Sequence, residues 1–157
     1  TNMTLKIIEG DLLSQSVEVI INPWNKNIIP WWLLLPQGVS GQIKKKGGYK
    51  PFNELFKIGP IKTGSAVLTS AGKLPYKGII HVASLNIFWV ATERSIREST
   101  KNALRLSFEE GFQSIAFPII GGGTGGVKKE KAIEYIREEI HKSKFKGEIV
   151  LVLYLKN

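Results

Sequence analysis

Six short runs rich in Ile, Val and Leu fall at residues 5–8, 17–21, 65–69, 78–83, 114–120 and 148–155, each bounded by Gly, Pro, Asp or Asn, as β-strands are. Several are apolar at successive positions and not at alternating ones, the pattern of a strand covered on both faces. A second pattern predicts the cover. Ile96, Ala103, Leu104 and Phe108 recur at helical spacing up to Gly111, behind Ser95-x-x-Glu98, which reads as a capping box. Ala132, Ile133, Ile136 and Ile140 mark another amphipathic helix, with Glu130 near its start and Lys142 near its end, both matching the helix dipole. Shorter helices are expected at 40–46 and 51–56, kept brief by flanking glycines. Strands alternating with helices predict a layered α/β domain, whose ligands bind where loops leave the carboxyl ends of parallel strands.

Composition narrows the class. With 157 residues and 43% apolar content, residues 1–157 are expected to form a single domain, long enough to cover a sheet on both faces but not to hold two cores. The absence of cysteine excludes disulfides, thiolate metal sites and a cysteine nucleophile. Residues 28–35, the longest apolar stretch, are too few to cross a bilayer and are punctuated by Pro30 and Pro36. With no signal-like start either, the expectation is a soluble, cytoplasmic protein with no membrane partner. The glutamates show no metal-ligand spacing, so neither metal nor cofactor is expected. A net charge of +9 and a pI near 9.8 bias the chain toward anionic partners, nucleic acid included. Even so, Lys44, Lys45 and Lys46, and Lys128, Lys129 and Lys131, read first as solvated helical faces. They lack the interleaved aromatic residues that single-strand binders use.

The run Gly121, Gly122, Gly123, Thr124, Gly125, Gly126 lies between an apolar run and a helical pattern beginning near Lys128. Such a strand-to-helix turn lets a ligand's oxygens approach backbone amides at the positive end of a helix dipole, so an anion belongs there. A tight structural turn is the plainer reading. The run also fits G-x-G-x-x-G, but only residues 127–157 follow, too few for the remaining strands and ribose-binding acid of a dinucleotide domain. No Gly-Lys-Ser/Thr completes a Walker A loop.

Two other loops at strand ends carry chemistry. Asp11, the one aspartate among thirteen acidic residues, follows the first strand with Leu12; it either caps a helical turn or accepts hydrogen bonds from an adenine amino group. Asn22, Pro23, Trp24 and Asn25 end the second strand, and after an insertion come Gly38, Val39, Ser40 and Gly41. These asparagines either make turns or grip ribose hydroxyls. Two glycine loops facing each other would enclose a diphosphate. His81, inside a strand, reads as a buried, hydrogen-bonded histidine, and His141 as a dipole partner at a helix end.

Taken together, these segments resemble the macrodomain, the ADP-ribose-binding fold, along nearly the whole chain and in the same order. Gly10-Asp11-Leu12 resembles the family's Gly-Asp-Ile motif, residues 22–25 its Asn-Ala-Ala-Asn, and residues 38–43 its first diphosphate loop. Residues 64–69 with 74–75 and 79–81 are similar to its central hairpin, and residues 115–120 followed by Gly123 and Gly126 to its second phosphate loop. The resemblance implies a three-layer α/β/α sandwich with a mixed six-stranded central sheet. It implies that Asp11 binds the adenine amino group, that Asn25, with Asn22 nearby, approaches the distal ribose, and that amides of Val39 to Gly41 and Gly122 to Thr124 hold the diphosphate.

Three departures shape the expected activity. Ser40 stands where hydrolytic relatives carry a catalytic aspartate, so no carboxylate at that position activates water. Gly125 stands where many relatives have an aromatic residue beside the distal ribose, which leaves that end more open. Residues 26–37, with Trp31 and Trp32, form an insertion in which Trp24, Trp31 or Trp32 either walls the ligand or packs in the core or a dimer contact. The resemblance therefore implies ADP-ribose or an ADP-ribosylated macromolecule as partner. The expected hydrolysis of ADP-ribosyl or O-acetyl-ADP-ribose linkages uses a water positioned by Asn25 and the ligand diphosphate, with Asn25 and Ser40 as the candidate catalytic residues. A non-catalytic reader, or a basic domain acting on ADP-ribosylated nucleic acid, is the alternative.

Overall fold

A computed structural model describes residues 3–25, 38–59, 61–85, 92–119 and 128–153. Six strands, β1 (Thr4–Glu9), β2 (Val19–Asn25), β3 (Ala66–Thr69), β4 (Gly78–Leu85), β5 (Ser114–Pro118) and β6 (Glu148–Leu153), form one sheet in the order β1-β6-β5-β2-β4-β3. All neighbours pair parallel except β3 with β4, an antiparallel pair at one edge. The sheet is therefore mixed, as expected.

Period-two alternation sorts the inner strands' side chains into two cores. Val19, Ile21, Ile80, Val82, Ile115, Phe117, Ile149 and Leu151 point to one face. There α3 (Glu93–Glu109) covers them with Ile96, Ala103 and Leu104, and α4 (Lys129–Lys142) with Ala132, Ile136 and Ile140. Ile20, Ile79, Ala83, Ala116, Val150 and Val152 point to the other face. That face is covered by shorter pieces: Leu12 of a 3-10 turn (Leu12–Ser14), Ile43 of α1 (Gly38–Gly47), and Phe52 and Leu55 of α2 (Lys50–Ile58). The architecture is the three-layer α/β/α sandwich. Burial on both faces explains why the inner strands are apolar at successive positions, whereas β1, at an edge, leaves Lys6 and Ile7 exposed.

The capping box of α3 lies one turn earlier than expected. Thr92 is the cap: its hydroxyl accepts from the Ser95 N–H at 3.0 Å, and the Ser95 hydroxyl accepts from the Thr92 N–H at 2.9 Å. Glu98 instead pairs with Arg94 at 2.8 Å. A serine at the third position reciprocates as well as a glutamate does, which moves the helix start upstream. Past its other end, Gly111 adopts φ 77°, the left-handed region that lets the chain turn away into β5.

Candidate functional site

Because β1, β2, β4, β5 and β6 run parallel, their carboxyl ends share one edge of the sheet. The segments leaving β1, β2 and β5 from that edge are those that carry Asp11, the 26–37 insertion and the glycine run. Two strands, β6 and β5, separate β1 from β2. At a spacing of about 4.8 Å per strand their ends stand roughly 14 Å apart, a span an extended nucleotide can bridge.

Asp11 is the cap of the 3-10 turn, its Oδ1 accepting from the Leu13 N–H at 3.0 Å. Its Oδ2 stands 3.5 Å from Lys46 Nζ, with the two side chains 41% and 50% exposed. The carboxylate thus keeps one oxygen for the backbone and turns the other toward solvent and an ammonium. Leu12 is fully buried in the core, so its side chain serves packing and only its backbone remains for a ligand.

On β2 the two asparagines part company. Asn22 is fully buried, and its amide nitrogen lies 3.0 Å from His81 Nδ1, the neighbouring position of β4 in the parallel register. The His81 Nε2 lies 2.8 Å from Thr69 Oγ1, which donates to the Ser70 carbonyl at 3.0 Å. With the Thr69 hydroxyl proton committed to Ser70, His81 donates through Nε2–H and accepts at Nδ1, which is the neutral imidazole. Burial lowers its pKa to about 3, and Phe52 packs edge-on at 5.9 Å between ring centres. His81 is therefore the buried, hydrogen-bonded histidine expected. Asn22 is directed into the same polar chain, its amide nitrogen bonding His81 inside the core.

Asn25 ends β2 just after a register shift between Trp24 and Asn25. Gly38, Val39, Ser40 and Gly41 form the first turn of α1, whose leading amides have no carbonyl partner within the helix. Gly121, Gly122, Gly123, Thr124, Gly125 and Gly126 lie outside the described residues, as do Trp31 and Trp32. The helix after the glycine run starts at Lys129, close to the expected position.

Two features had no sequence signal. Lys46 reaches Asp11 from the far end of α1, a pairing between distant positions that only the fold creates. Glu54 of α2 accepts from the Ser70 N–H at 3.0 Å and from the Ser70 hydroxyl at 2.5 Å. These two bonds lower its pKa, with the Lys50 charge adding to the effect. Among the described residues no group of three or more His, Asp or Glu side chains is arranged to hold a metal ion.

The comparisons converge on one family. A family model described as Macro domain matches residues 21–136. A protein of Aquifex aeolicus, named only as uncharacterized, is 38% identical over 141 residues, covering 89% of this chain and 82% of its own. The O-acetyl-ADP-ribose deacetylase of Citrobacter rodentium is 30% identical over 141 residues, 85% of this chain and 76% of its own. Among solved structures, a mutant macrodomain of Oceanobacillus iheyensis with ADPR superposes with a TM-score of 0.76 at 25% identity, covering 98% of this chain and 86% of that one. With its sheet order, its two helical layers and this breadth of match, the chain belongs to the macro domain family.

Proposed function

We propose that this chain binds ADP-ribose along the carboxyl edge of its sheet and hydrolyses an ADP-ribosyl linkage or O-acetyl-ADP-ribose. One observation carries the reading: the half-exposed Asp11, the end of β2 at Asn25 and the segment leading into α4 all leave the same edge. The names of the deacetylase relative and of the ADPR-bound neighbour support the same ligand. In this reading the adenine amino group donates to Asp11 Oδ2, displacing Lys46. Amides of the first turn of α1 and of residues 122–124 hold the diphosphate. Asn25 orients a water against the acetyl ester. That water attacks the acetyl carbonyl carbon, the bond from this carbon to the ribose oxygen breaks, and acetate leaves as the ribose oxygen takes up a proton. The ligand's own diphosphate, and not a carboxylate at position 40, accepts the water's proton.

Incubation with O-acetyl-ADP-ribose and with an ADP-ribosylated protein, followed by chromatography of released ADP-ribose, tests this. Product that falls at least tenfold in Asn25→Ala is expected. Ser40 favours one other reading, a binder without turnover, because a serine cannot serve as a general base at neutral pH without a partner. Saturable binding with no release from either substrate would select that reader.

A further inference from the structure

On the face covered by short helices, the end of α1, the start of α2 and the turn before β4 meet around a cleft of about 710 Å³. Five lysines line it, Lys44, Lys45, Lys46, Lys50 and Lys73, with Tyr49 beside them. Among the described residues, none that lines it is acidic. Glycine builds the cleft. Gly72 adopts φ 61°, and a Cβ there would meet the Gly47 carbonyl oxygen at 2.4 Å. The close approach lets the Lys73 N–H donate to that carbonyl at 3.0 Å, which locks the Lys73 segment against the end of α1. Lysines far apart in sequence are thereby held on opposite walls.

We propose that this cleft binds the phosphate backbone of a single-stranded nucleic acid, with Tyr49 stacking on a base. The inference goes beyond the nucleotide reading and does not rest on it. Three observations choose this occupant. The site is concave, which suits a strand better than a flat membrane surface. Its volume and lysine number exceed what one phosphate would need. Tyr49 is 56% exposed, and a phenol ring offers a base a stacking face, which an acidic peptide would not call for. The aromatic that the lysine run lacks in sequence is supplied at its lip. Lys44 stands 5.0 Å over the Phe52 ring and burial lowers its pKa, and Lys46 pairs with Asp11. Lys45, Lys50 and Lys73 are, with Lys46, the exposed cations of the set. The α1 helix links the two regions: its first turn belongs to the proposed diphosphate site and its last three lysines to the cleft, about 8 Å along the helix axis at 1.5 Å per residue.

The test is fluorescence anisotropy with a labelled, unmodified DNA single strand of about 15 nucleotides, a length within single-strand site sizes. Two charge-matched variants are compared with the parent chain. One carries Lys45→Glu, Lys50→Glu and Lys73→Glu; the other carries Lys6→Glu, Lys101→Glu and Lys144→Glu at exposed positions elsewhere. Thermal melts confirm that both are folded. The cleft variant is expected to lose at least tenfold in affinity and the control less than threefold. Raising salt from about 50 to about 200 mM should weaken the parent roughly 18- to 130-fold, the range for three to five phosphate contacts on a single strand. Tyr49→Ala should cost about fivefold or more from lost stacking. Equal losses in the two triple variants would assign the binding to net charge and overturn the proposal. So would no binding, or stronger capture by polyglutamate or by phosphatidylserine vesicles. ADP-ribose titration of the cleft variant separates the two readings: its nucleotide affinity is expected to hold within about threefold while nucleic acid is lost.

Discussion

The two faces of the sheet are built differently. On one, α3 and α4 run seventeen and fourteen residues and bury an apolar seam against the sheet, with the buried hydroxyls of Thr100 and Ser107 bonded back to carbonyls of their own helix. They are tied together at the surface by Arg97, which reaches Glu93 at 2.8 Å, Glu138 at 2.6 Å and Glu139 at 3.1 Å and lies 4.8 Å from the Tyr135 ring centre. On the other, a three-residue turn and two helices of ten and nine residues bracket a buried polar chain, the lone aspartate and a cleft of lysines. Long helices cover area efficiently but present few ends. Short ones multiply helix termini and turns, where backbone amides and charged side chains reach a ligand. The molecule thus sets a face covered by two long helices against a face rich in helix ends and charged side chains.

Single substitutions can break that division. The largest effects should come from the cores. Leu104→Ala on the long-helix face is expected to cost about 2–5 kcal/mol in urea unfolding. It should leave ADP-ribose affinity within twofold wherever the protein remains folded. Phe52→Ala on the other face should cost about 3–5 kcal/mol and weaken the nucleotide as well, because it loosens α2 and the His81 ring together. Equal effects of both on affinity would erase the contrast.

Next is His81. Its folded pKa of about 3 lies below the usual 6.5. Between those values the unfolded chain holds a proton that the folded chain refuses. Stability is therefore fully present above pH 6.5 and falls as the pH drops, by at most about 1.4 kcal/mol per unit. Urea unfolding at pH 7 and pH 4 should show the parent losing about 3 kcal/mol more than His81→Gln does. Matching losses would mean that His81 is protonated in the native state. Arg97→Met comes after it. Removing the guanidinium leaves Glu139, 9% exposed, with Lys142 at 3.6 Å, at an expected cost of about 1–3 kcal/mol and with no change in nucleotide affinity. The smallest stability effect belongs to Asp11→Ala, about 1 kcal/mol for the lost cap.

Much of the sheet was legible because burial on both faces writes itself as continuous apolar runs: each of the six strands overlaps the run that predicts it, although β1, β2 and β4 extend past the ends of theirs. The helices were legible from their periodicity, whereas the cap of α3 was displaced because Thr92-x-x-Ser95 and Ser95-x-x-Glu98 overlap and only packing of the first turn decides between them. Asp11 reads correctly as a cap. Its partner Lys46 does not, since a pairing across 35 positions depends on how α1 lies against the sheet. The contact of Asn22 with His81 was not legible for a similar reason: it is a matter of parallel register, and a one-residue shift would have turned Asn22 to the opposite face. The cleft was hidden because Lys73 joins the lysine run only through the contact of the Gly72–Lys73 turn with Gly47.

The proposed recognition of an adenine nucleotide by a lone carboxylate at the sheet's carboxyl edge is open to one direct measurement, calorimetric titration of ADP-ribose into the parent chain and into Asp11→Ala. Saturable one-to-one binding is expected, weakened in the variant by about 1.5–3 kcal/mol, roughly ten- to hundredfold, for a lost charged hydrogen bond. No binding to the parent, or the same affinity in both proteins, would contradict it.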